Sequence, residues 1–184
     1  KEAEDLMEEL KKSSEDVERR VRESNKRSKE VSDRVAEEVK KLLERLKKIL
    51  EEAARKRDRV DKEVLTKIAE DVVREVERVL REVEKILRES VRLSEKLMKE
   101  NEEIVRKNKE LLDRVLEEIK RRGVDEKVIR TIERLVRTSE KKLRKLLDDS
   151  RKSVEENRKR VTDLKKEARD LVEDIKRRLE EERR

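Results

Sequence analysis

Eight serines (Ser13, Ser24, Ser28, Ser90, Ser94, Ser139, Ser150 and Ser153) and three asparagines (Asn101, Asn108 and Asn157) recur at helical spacing among apolar residues. A serine hydroxyl becomes a nucleophile beside a base that takes its proton. The chain has no His, and neither a Lys nor a carboxylate falls on the line of positions that carries these residues. Zinc, iron and copper sites draw on His and Cys, which are both absent. Calcium loops need spaced Asp or Asn around a central Gly, and the single glycine, Gly123, has no such setting. Carboxylate pairs at helical spacing abound, but they alternate with Lys and Arg, as a solvated helix face does, rather than standing as an acid/base pair. No Gly-rich phosphate loop is present. The expectation is a chain with no catalytic residue, no metal site and no cofactor.

The elements that hold these residues follow from composition and periodicity. Charged residues make up 58% of the chain and hydrophobic residues 32%, with no aromatic residue, no Pro and no Cys. Disordered chains also carry high charge, but they are rich in Pro, Gly and Ser and lack periodicity. Here Leu, Glu, Lys and Arg dominate, the composition of long helices. The net charge of +7 is spread along alternating signs and forms no one-signed stripe, and stacking aromatics are missing, so nucleic acid is not an expected partner. No apolar run approaches the roughly 20 residues of a membrane span. The opening Lys1-Glu2-Ala3-Glu4-Asp5 lacks the apolar region of a secretory signal. A soluble chain without a membrane partner is expected, and nothing assigns it to a compartment.

Gly123 is the strongest punctuation. Arg121-Arg122-Gly123-Val124-Asp125-Glu126 reads as a helix end, a left-handed Gly cap, an apolar contact and an Asp N-cap. Arg57-Asp58-Arg59-Val60-Asp61-Lys62 has the same form, with Arg59 in the glycine place, where a positive φ is strained. The two turns divide the chain into helices of about 2–58, 61–122 and 125–182, each roughly 85–90 Å long at the usual rise. In the first, the inward line runs Ala3, Leu6, Leu10, Ser13, Val17, Val21, Ser24, Ser28 and onward in steps of 3, 4, 3, 4, 4. The same repeat places Ile68, Val72 and Ile86 on the second helix and Val128, Leu135 and Leu171 on the third. Five inward positions per 18 residues is the period of an unstrained helix, so little supercoil is expected. A flanking set that includes Leu43, Leu87, Met98, Val136 and Val172 widens each face enough for two neighbours. The fold expected is all-α: one domain over 1–184, an antiparallel three-helix bundle of long, nearly straight helices. The stripes are only wide enough to cover one another, so a monomer without partners is expected.

Folding the chain at the two turns makes facing residues of helices 1 and 2 sum to about 120, and those of helices 2 and 3 to about 248. Asn108 then falls beside Ser13 and Ser139. Ser94 is level with Ser24, Ser28 and Ser153, Ser90 with Ser28 and Asn157, and Asn101 lies within a turn of Ser150. One reading makes these buried hydrogen-bond networks that set register, since a slip would leave many buried polar groups without partners. Under it, Asn108→Leu alone costs more per residue than apolar replacement of Asn108, Ser13 and Ser139 together. The other makes them the lining of a wet polar cavity for water or a small ligand, because Ser in place of Leu leaves space.

The repeat, the helix–turn grammar and the missing residue types resemble the idealised single-chain three-helix bundles of computational design, over the whole chain. That resemblance implies a stable structural scaffold of synthetic origin with no natural activity. Arg59 and the Ser-rich middle depart from the pattern. Alternatives are a designed helix-binding, assembly or switch module, or a natural rod segment similar to a spectrin repeat, although spectrin repeats carry core aromatics and shorter helices.

Overall fold

The computed structural model describes residues 2–56, 59 and 61–183, with side chains from Glu4 to Lys56, at Arg59, and from Asp61 to Glu181. Helix α1 spans Glu2–Lys56, α2 Lys62–Arg121 and α3 Glu126–Arg183. The helix-forming composition and the absence of internal Gly or Pro leave nothing to interrupt them. Of the residues expected to build the first turn, Arg57, Asp58 and Val60 lie outside the described residues, as does the side chain of Ala3. At the second turn Gly123 takes φ 66°, and its N–H donates to the Lys120 carbonyl at 3.4 Å, closing the end of α2. Asp125 then starts α3: its carboxylate accepts from the Lys127 N–H, and its carbonyl from Val128 and Ile129. The left-handed conformation expected at Arg59 is not found, since no described non-glycine residue has a positive φ.

The chain divides into two compact units. One combines Lys1–Lys29 with Leu93–Glu155, the other Glu30–Arg92 with Glu156–Arg184. Each is a three-helix bundle that draws one stretch from every helix. In the first unit the ion pairs Lys120–Glu133 and Arg151–Glu102 join α2 to antiparallel α3. In the second, Arg169–Glu84 and Lys176–Glu77 do the same, and residue numbers add to 253 in all four pairs. Arg45–Glu75 at 3.2 Å, adding to 120, joins α1 to α2 in the second unit.

The second unit buries fifteen apolar residues in one cluster, with Val39, Leu46, Val76, Val83, Leu87 and Ile175 wholly inaccessible. The corresponding cluster of the first unit has five: Leu10, Leu112, Ile119, Ile132 and Val136. Among the described residues, seven of the nine buried polar ones, Ser14, Glu18, Ser94, Asn101, Asn108, Ser139 and Ser150, belong to the first unit. Its interior is therefore more polar than that of the second unit, although Val21, Met98, Leu143 and Val154 are also buried there.

The helices are rotated slightly from the expected stripe. Leu42, Ile86, Leu97, Leu135 and Leu171 are only half-buried, while their neighbours Leu43, Leu87, Met98, Val136 and Val172, expected to flank, are buried. Two apolar residues at i and i+1 lie about 100° apart on a helix, and periodicity alone leaves the centre of the face between them. In these five doublets packing turns the second member inward, whereas at Val79–Leu80 it keeps the first inside.

Candidate polar core sites

The rotation decides which polar residues meet. Ser13, expected inside, is half-exposed, and Ser14 is buried in its place. Ser24, Ser28 and Ser153 are half-buried, whereas Ser90, Ser94, Asn101, Asn108, Ser139, Ser150 and Asn157 are buried. Two residues absent from the expected set, Asn25 and Ser32, make hydrogen bonds between helices. Their signal in the sequence was an uncharged polar residue in a chain that is 58% charged, one helical step from a neighbour on the stripe.

In the second unit, Ser32 on α1 donates to Asn157 Oδ1 on α3 at 2.7 Å, and Asn157 Nδ2 donates to Ser90 Oγ on α2 at 3.5 Å. One amide thus satisfies two hydroxyls on two other helices. In the first unit, Asn101 Nδ2 donates to Asn25 Oδ1 and to Ser150 Oγ, both at 3.4 Å. Ser150 Oγ in turn lies in reach of Asn25 Oδ1 and of its own helix's Leu146 carbonyl, to which Asn25 Nδ2 also donates at 3.3 Å. Here too all three helices are tied.

The two networks share one α1–α3 offset. The α1 and α3 partners differ by 125 in residue number in each, and the α2–α3 pairs add to 247 in one and 251 in the other. The offsets 125 and 247 also relate Ser28, Ser94 and Ser153, and again Ser14, Asn108 and Ser139, both sets within the first unit. Those two sets are not satisfied: Ser94 Oγ, Ser139 Oγ and both polar atoms of Asn108 are buried without a hydrogen-bond partner. Ser28, Ser94 and Ser153 line a void of about 10 Å³, close to the space one water occupies. The network expected between Asn108, Ser13 and Ser139 is therefore absent.

Glu18 corrects a further expectation, that no carboxylate reaches the interior. It is only 9% exposed and, with Ser14 and Ser139, lines a cavity of about 90 Å³ in the first unit. On the outer surface, the Arg106 guanidinium hydrogen-bonds Glu103 at 2.7 Å and, helped by its charge and that of Lys107, holds this carboxyl below the usual range. Among the described residues no cluster of three or more possible metal ligands occurs, and no helix is long and apolar enough to cross a membrane.

These features place the chain among all-α, three-helix bundles with buried Ser and Asn. It is similar to a solved structure described as a computationally designed three helix bundle, with 24% identity over 99% of this chain and 86% of that one, at a TM-score of 0.40. No family model matches the chain. No curated protein matches it either.

Proposed function

We propose that this chain is a designed structural scaffold without a natural biochemical activity, whose buried Ser and Asn residues specify how its three helices align. The supporting observation is the shared register: Ser32, Ser90 and Asn157 in one unit, and Asn25, Asn101 and Ser150 in the other, each bond across all three helices with the same α1–α3 offset of 125. Sliding one helix by a turn breaks these bonds and leaves buried polar atoms without partners, each costing about 1–3 kcal/mol. An apolar slip carries no such penalty, because one Leu or Val replaces another. The polar residues therefore act on the alternatives to the fold more than on its stability.

The test replaces Ser32, Ser90 and Asn157 together by Ala, Ala and Leu. The triple variant is expected to stay helical and within about 1 kcal/mol of the parent, since satisfied buried polar groups contribute little net stability. It is also expected to lose uniqueness, with broadened amide spectra or a mixed mass distribution. A triple variant with one sharp set of resonances and one mass would remove the register role.

A further inference from the structure

The cavity of about 90 Å³ in the first unit has a chemistry that the register reading does not use. Its floor and walls are Leu10 and Leu112, at 7% and 1% exposure, with Val136 and the half-buried Leu135. Five oxygen-bearing side chains line this apolar space: Glu15 and Thr138 are exposed, whereas Ser14, Glu18 and Ser139 are all at least nine-tenths buried. Ser139 Oγ has no hydrogen-bond partner. Among the described residues none forms an ion pair or hydrogen bond with Glu18. Lys11 and Lys142 stand at the rim with exposed side chains.

An ionised carboxylate taken out of water without a counter-charge is costly. A cation that enters the cavity regains that energy, and the shape of the site narrows which cation. A bare metal ion would keep its water shell and would not use the apolar walls. A primary ammonium has three N–H donors and no acceptor, which matches one carboxylate and two hydroxyl oxygens. The volume is several times the roughly 10–15 Å³ that one water needs, enough for a short alkyl tail beside Leu10, Leu112 and Val136. We infer that this cavity is a binding site for a short primary alkylammonium ion, its nitrogen held by Glu18, Ser14 and Ser139 and its carbon chain against the apolar wall.

The inference is independent of the register reading, since neither satisfied network lines this cavity. The probe is n-propylammonium chloride titrated into the full chain and followed by amide chemical shifts, against n-propanol and against sodium chloride at equal ionic strength. Saturable shifts are expected at Ser14, Glu18 and Ser139 with n-propylammonium. Binding by n-propanol, and binding of n-propylammonium by Glu18→Gln, are each expected to be weaker by at least about tenfold, the loss of a charge-assisted hydrogen bond. Should Glu18→Gln lose its helical signal, Ser139→Ala serves instead and is expected to weaken binding several-fold. Lys142→Gln removes a competing ammonium at the rim and is expected to tighten it. Shifts that do not saturate, that sodium chloride or n-propanol reproduces, or that persist undiminished in Glu18→Gln and Ser139→Ala overturn the site.

Discussion

Asn108 and Asn157 offer the same side chain in the same relative register, and opposite effects are expected when each becomes Leu. Asn108 is 4% exposed, and neither its Nδ2 nor its Oδ1 has a partner. A buried polar group left unmade costs about 1–3 kcal/mol, so removing this amide recovers part of that cost. The slightly bulkier Leu has room, because Asn108 borders an open hollow beside Val105, Leu143 and Leu147. Asn108→Leu is therefore expected to stabilise by about 1–3 kcal/mol. This reverses the expectation drawn from the sequence, under which Leu strands Ser13 and Ser139: Asn108 bonds to neither. Asn157→Leu instead breaks bonds of 2.7 and 3.5 Å and strands Ser90 Oγ at 5% exposure. After the gain from Leu burial its net cost is about 1–3 kcal/mol. The assay is guanidinium unfolding of both variants, read from midpoint shifts at unchanged slope. If Asn108→Leu is destabilised by more than about 1 kcal/mol, Asn108 makes interactions that the geometry does not contain, and the reasoning fails.

Gly123→Ala is expected to destabilise by about 0.5–1 kcal/mol through the backbone alone, since φ is 66° and a Cβ there would meet nothing within 4 Å; a stability equal to the parent in denaturant titration would contradict the Gly cap. In native-state hydrogen exchange, amides of the first unit should be less protected than those of the second, because its buried apolar cluster has five residues against fifteen; equal protection would show that the polar networks compensate. Glu103 is held below the usual carboxylate range first by its hydrogen bond from Arg106. Its ionised form therefore favours the folded state above the unfolded value, and that contribution is lost as pH falls through the folded one. A side-chain carboxyl NMR titration should place Glu103 below the usual carboxylate range and move it up toward that range in Arg106→Gln. Light scattering should give a single species of 22.3 kDa; a stable mass twice as large would contradict the monomer.

How much of this was legible depends on what each residue must distinguish. Helix boundaries were readable because Gly123 and Asp125 have few local conformations that suit them, and α2 and α3 begin and end within a residue or two of the expected positions. The inner face was readable to within one residue and no better. Doublets such as Leu42–Leu43 and Ile86–Leu87 present nearly equal apolar area on either side of the face, so the sequence carries almost no energy difference between two rotations. Chemistry is far less tolerant of that uncertainty than packing. A turn of one residue exchanges Ser13 for Ser14, brings Asn25 and Ser32 into hydrogen-bond reach, and carries Glu18 from the solvated face to the cavity.

The same sensitivity explains why two sets of polar residues in one register end differently. Asn157 succeeds because an amide that both donates and accepts sits on α3 between hydroxyls on α1 and α2. Ser28, Ser94 and Ser153 present three short hydroxyls instead, and the void of about 10 Å³ beside them shows that they do not span the gap. Asn108 has the longer side chain but occupies α2, opposite Ser139, and no hydrogen bond forms. Matching register is thus necessary for a bond and insufficient without reach and direction, which no one-dimensional offset encodes. That distinction gives the unsatisfied sets in the first unit a different physical character from the satisfied ones: exposed to a slip they lose nothing, so they do little to hold register, while their free donors and acceptors remain available to whatever enters beside them.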